Sequence, residues 1–126
     1  MVLLRIIPEN DTPIYKQVRD QIVAGVAAGE LKLGDQLPSV REFSRDLGVN
    51  YHTVNKAYAL LRDEGYVNIF GRKGVFISKP PEADEAFINS VEKQLEKIMA
   101  EAMSKGMTAE KVAKLAAEIA EKGKEK

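Results

Sequence analysis

Two short helical patterns meet at Gly48 with almost nothing between them. The first is "PSVREFSRDLG", residues 38–48. Ser39 and Glu42 have the spacing of a capping box, in which the serine accepts from a first-turn N–H and the glutamate reaches back. Phe43 and Leu47 are its inward residues, and Gly48 stands where a left-handed cap belongs. Only Val49 and Asn50 follow before the second pattern, which Asn50 is suited to cap. There Val54, Ala57, Tyr58 and Leu61 recur at i, i+3, i+4 and i+7, and Gly65 stops the run. Two short helices joined this tightly predict a helix-turn-helix.

The flanking sequence supplies what such a unit packs on. Thr12-Pro13 reads as a helix start, with Thr12 as N-cap and Pro13 at the first helical position. Ile14, Val18, Ile22 and Val26 then recur every four residues with Tyr15 beside them, an amphipathic helix. Glycines and a proline in "AAGELKLGDQLP" end it. After the second short helix, "YVNIF" and "VFISK" are strand-like runs around "GRKG", a β-hairpin. The branched stretch "VLLRII" near the start predicts one more short strand.

Pro80-Pro81 closes this unit, so the expected domains are residues 1–80 and 81–126. In the second, Ile88, Val91, Leu95, Ile98 and Ala102 alternate spacings of three and four, the pattern of a helix seam. Phe87, Met99 and Met103 widen it. "SKGMT" breaks the helix, Thr108 caps the next, and Val112, Leu115, Ala116 and Ile119 mark its face. The tail "EKGKEK" is expected to fray. One long helix and one short one cannot bury both apolar faces alone. A homodimer through Phe87, Ile88, Val91, Leu95, Ile98, Met99 and Ala102 is therefore expected.

Composition removes most chemistry. With no cysteine in 126 residues, disulfides, thiolate metal sites and thiol nucleophiles are excluded. A single histidine and no carboxylates at ligand spacing leave no catalytic or metal site. "GRKG" sits in a hairpin turn, without the spacing of a phosphate-binding loop. No enzyme, no metal and no cofactor are expected. The apolar N-terminus is far shorter than a membrane span, is broken by Arg5, and lacks a cleavage site. The expectation is a cytoplasmic protein with no membrane partner. Charge is balanced at 19 basic and 19 acidic residues, but residues 1–80 carry net +2 and residues 81–126 net −2. That asymmetry neither demands nor forbids a nucleic-acid partner.

The outward face of the second short helix is more telling. It carries Asn50, Tyr51, His52, Thr53, Asn55 and Lys56, where a solvated face is usually written in Glu, Lys and Gln. In a helix-turn-helix the leading turns of the second helix meet base edges in the major groove. Asn can pair bidentately with adenine, and Tyr and Thr can reach phosphates. Arg41 lies outward on the preceding helix, and Arg72 and Lys73 sit at the hairpin tip, suited to phosphates or a minor groove. Plainer readings account for the rest: Ser39 and Glu42 cap, Tyr58 belongs to the core, and Arg45 and Arg62 are solvated charges.

These motifs carry a resemblance. "PIYKQVRDQI", "GELKLGDQLPSVREFSRDLGVNYHTVNKAYALLRDEGYV" and "GVFI" closely resemble the GntR-type bacterial transcription regulators across roughly residues 12–78. "PIYKQV", "KAY" and the short C-terminal segment are similar to the YtrA-like branch, which lacks a large effector domain. The resemblance implies a mainly α fold with a small β-wing, a winged helix-turn-helix followed by a two-helix dimerisation segment. It implies DNA contact by Arg41, Asn50, Tyr51, His52, Thr53 and Asn55, and wing contact by Gly71 and Arg72. Phe43 stands where the family usually has Leu. Positions 51, 52 and 55, often basic there, are Tyr, His and Asn, and the wing "GRKGVF" is one residue longer. The expected function is a homodimeric regulator, a repressor, binding double-stranded DNA at a two-half-site operator. The alternative is a winged-helix protein-interaction module without DNA binding. A small-molecule effector is compatible with the chain, but nothing in the sequence indicates one.

Overall fold

The computed structural model describes residues 11–124, so the strand expected in "VLLRII" lies outside the described residues. The chain divides into two compact units that meet between Pro80 and Pro81. In the first unit, helix α1 spans Ile14–Ala27, α2 Val40–Leu47 and α3 Tyr51–Asp63. Three short strands complete it: β1 Gln36–Leu37, β2 Val67–Ile69 and β3 Val75–Ile77. All pairing is antiparallel, with β3 between β1 and β2.

The start of α1 corrects one expectation. The N-cap is Pro13, not Thr12, and its own side chain makes no capping hydrogen bond. Pro13 has an extended ψ of 146°, which keeps it outside the helix, while its carbonyl accepts from Lys16 and Gln17. The Thr12 carbonyl takes the Gln17 side-chain amide at 2.9 Å.

The two later helices start and stop as the sequence implies. Ser39 Oγ accepts from the Glu42 N–H at 3.1 Å, and a Glu42 carboxylate oxygen accepts from the Ser39 N–H, also at 3.1 Å. Gly48 adopts φ 69°, a left-handed conformation that costs glycine little, and its N–H returns to the Arg45 carbonyl. Asn50 caps α3.

The core lies where the inward stripes of the three helices meet the inner face of the sheet. Val18 and Ile22 come from α1, Phe43 from α2, and Val54, Ala57, Tyr58 and Leu61 from α3. Leu37, Val67, Val75 and Ile77 come from the strands. Burial of each large side chain is worth roughly 1.5–3 kcal/mol. The α3 stripe alone is therefore comparable to the net stability of a typical domain, roughly 5–15 kcal/mol. Helix α3 thus carries part of the core on one face and an exposed polar face on the other.

Strand β1 has no counterpart in the sequence reading, because two residues show no alternation. It is set by the turn before it. Gly34 N–H donates to the Ile77 carbonyl at 2.9 Å, and Ile77 N–H donates to the Asp35 carbonyl at 2.8 Å. Leu37 then faces Val75 and enters the core.

In the second unit, α4 spans Glu85–Ser104, with its first turn closed by Asp84, which accepts from the Phe87 N–H at 2.8 Å. Helix α5 spans Ala109–Lys124, capped by Thr108, whose hydroxyl accepts from the Lys111 N–H at 3.1 Å. The tail expected to fray is helical as far as Lys124. Among the described residues of this unit none is buried. No helix of the described residues is long and apolar enough to cross a membrane.

Candidate nucleic-acid interface

The first turns of α3 bring together five residues singled out from the sequence. Asn50, Tyr51, His52 and Asn55 are exposed, and Thr53 is half-buried. Their roles differ. Asn50 Oδ1 accepts from the His52 N–H at 2.7 Å, so this oxygen already serves the helix. Asn55, one turn later, is exposed, and its side-chain amide makes no hydrogen bond within the described residues. The Tyr51 and His52 rings meet edge to face with centroids 5.7 Å apart, so the two aromatic side chains project as a pair.

Lys56 is drawn toward another helix. Its ammonium lies 4.1 Å from the centre of the Tyr15 ring of α1, a cation–π contact worth roughly 0.5–1 kcal/mol at an exposed site. No local pattern encodes this pairing, because Tyr15 and Lys56 are 41 residues apart.

Arg41 is exposed in the first turn of α2 and has no ion pair among the described residues. The Ser44 hydroxyl donates to its carbonyl at 3.0 Å. Arg45 follows at the end of the same helix, beside Glu42. Glu42 itself is held below the usual carboxylate range. Its hydrogen bond from the Ser39 backbone is the main cause, followed by its side-chain bond to Ser39 and the Arg45 charge.

Strands β2 and β3 form the wing. Between them Gly71–Lys73 makes one 3-10 turn, closed by the Lys73 N–H on the Phe70 carbonyl at 2.9 Å. Arg72 and Lys73 are exposed there. Gly74 ends the turn at φ 117°, and a Cβ on it would stand 2.6 Å from the Gln36 amide nitrogen. That nitrogen donates to the Lys73 carbonyl at 3.3 Å, bracing the tip from β1. Phe70 rests on Phe76 with centroids 5.8 Å apart and stays half-exposed at 53%.

Behind this surface two contacts fix α3. Tyr58 is fully buried, and its hydroxyl donates to the Pro38 carbonyl at 2.8 Å. Arg19 of α1 holds both carboxylate oxygens of Glu64, the residue that caps the end of α3, at 2.9 and 3.0 Å. This pairing keeps the guanidinium firmly charged despite partial burial. Among the described residues no three or more His, Asp or Glu side chains are arranged to hold a metal ion.

A turn-linked helix pair, a basic hairpin tip and an outward amide-and-aromatic face describe a winged helix-turn-helix. Known proteins agree. Residues 14–77 match the family of bacterial regulatory proteins called gntR. The HTH-type transcriptional repressor YtrA of Bacillus subtilis is 33% identical over 112 residues, covering 87% of this chain and 86% of that protein. Among solved structures, YtrA from Sulfolobus acidocaldarius, a GntR-family transcription factor, is 39% identical with a TM-score of 0.66, covering 79% of this chain and 99% of that one. A transcriptional antiterminator from Listeria monocytogenes superposes with a TM-score of 0.88 at 27% identity, covering 98% of this chain and 93% of that one. The chain therefore belongs to the GntR family, whose members are DNA-binding transcriptional regulators and not enzymes.

Proposed function

We propose that the chain is a homodimeric repressor that works in the cytoplasm on an operator of two half-sites. The first unit, residues 1–80, reads DNA. The second, residues 81–126, holds two copies together. In the first unit, Asn50, Tyr51, His52, Thr53, Asn55 and Arg41 meet the duplex, Gly71, Arg72 and Lys73 grip it from the wing, and Lys56 adds charge beside Tyr15.

One observation carries the dimer. Helix α4 leaves Phe87, Ile88, Val91, Leu95 and Ile98 exposed, at 38% to 59%, with Leu115 and Ile119 exposed on α5. Contiguous apolar surface of that kind marks an interaction site. Its repeat is that of a helix seam, which a second copy covers by symmetry. Met99 and Ala102 are half-buried, as are Met107 and Val112, so this end of the hairpin covers part of its own apolar surface. A dimer then reads two half-sites about 34 Å apart. The repressor role is supported by the similarity to the Bacillus protein of that description.

Sedimentation of the wild type and of Leu95→Asp, with duplex binding measured on both, tests this reading. The wild type should run at twice the chain mass. The variant should run as a folded monomer and bind its operator far more weakly. A wild type that stays monomeric at micromolar concentration contradicts it.

A further inference from the structure

Helix α3 is poorly equipped to read guanine or cytosine. Guanine is read best by Arg or Lys bidentate to O6 and N7, and cytosine by a carboxylate on N4. No arginine occurs in α3 before Arg62 and no carboxylate before Asp63, both in its last turn. Its one earlier cation, Lys56, rests 4.1 Å from the Tyr15 ring centre. His52, when neutral, offers one donor, and both purines present N7 in the major groove, so it does not separate adenine from guanine. Tyr51 and Thr53 carry single hydroxyls with the same ambiguity.

That leaves the amides, and the geometry separates them. Adenine recognition needs an acceptor for N6–H and a donor for N7 on one side chain. Asn50 has spent its oxygen on the His52 N–H at 2.7 Å. Turning that oxygen to a base would uncap the helix. Asn55 is exposed, and neither group of its amide is engaged within the described residues. We propose that Asn55 is the specificity-determining residue of α3 and selects an adenine in each half-site. The operator class is thus a half-site with an A·T pair under the middle of α3. This rests on the DNA-reading role proposed above.

The test is selection of bound sequences from random duplex DNA with the wild type, Asn55→Ala, Arg41→Ala and Asn50→Ser, the last of which keeps a capping oxygen. The adenine enriched by the wild type is then replaced with 7-deazaadenine, which lacks N7. The wild type should enrich one fixed adenine per half-site and lose about tenfold in affinity on the 7-deaza duplex, the scale of one bidentate pair. Asn55→Ala should lose that adenine alone and bind both duplexes equally. Arg41→Ala and Asn50→Ser should each bind more weakly yet still enrich that adenine. Adenine retained by Asn55→Ala, or lost by Asn50→Ser, overturns the assignment. A wild type that enriches fixed sequences without a fixed adenine overturns it too, while leaving the DNA-reading role intact. A wild type that enriches nothing overturns that role itself.

Discussion

The Tyr58 hydroxyl donates to the Pro38 carbonyl at 2.8 Å, tying the middle of the recognition helix to the residue before the α2 cap. The phenol has no exposure, and burial pushes its ionisation well above the usual range, with the Glu42 charge acting the same way. It remains a neutral donor at any working pH. This hydrogen bond adds to the apolar packing that holds α3 against α2.

Tyr58→Phe keeps the ring, and with it the tilted contact to Phe43 at 5.9 Å, but leaves the Pro38 carbonyl without this donor. Removing one partner of a buried bond typically costs about 1–3 kcal/mol. Urea unfolding should show a loss in that range with an unchanged slope. The sequences bound should stay the same, because nothing on the outward face is altered.

The capping box predicts a pH dependence. Glu42 is held below its usual pKa in the folded protein, first by the Ser39 backbone bond. A lowered folded-state pKa means that the carboxylate contributes stability above its unfolded value, and that this contribution fades as pH falls through the folded value. Glu42→Ala should therefore be less stable than the wild type at neutral pH, and the gap should begin to narrow as pH falls to the ordinary carboxylate value of about 4 and close on further acidification. Thermal melts of the two proteins from pH 7 to pH 3 check this. A gap that widens toward acid would place the stabilising group elsewhere.

The wing and the reading helix should fail differently. Arg72 and Lys73 are exposed at the tip and have no ion pair among the described residues. Replacing either with Ala should weaken every duplex to a similar degree. The slope of log affinity against log salt should flatten by about one unit per lost phosphate contact. Titrations at several salt concentrations, on preferred and scrambled duplexes, separate this from a loss of base preference.

Much of this was legible because it depends on neighbours in sequence. Ser39 and Glu42 are three apart, Gly48 needs only its own φ, and the α3 stripe follows helix period. The hairpin was readable from two branched runs around a glycine turn. Contacts between distant residues were not. Strand β1 exists because the Gly34 and Asp35 backbones meet Ile77. Lys56 lies on Tyr15, and Gln36 braces the wing, through packing that no local pattern encodes. Thr12 and Pro13 show the limit of local rules: both suit a helix start, and a single ψ decides which of them caps. Asn50 shows another. The sequence suits it equally to capping and to base contact, and only the 2.7 Å bond to His52 shows that its oxygen is taken.

Two copies of the chain should present the leading turns of α3 to successive major grooves. Hydroxyl-radical footprinting of the wild type on a selected duplex tests it most directly. Two symmetric protected patches are expected on one face of the duplex, centred about 10–10.5 base pairs apart or at a multiple of that distance. A single unpaired patch, or protection with no twofold symmetry, would contradict it.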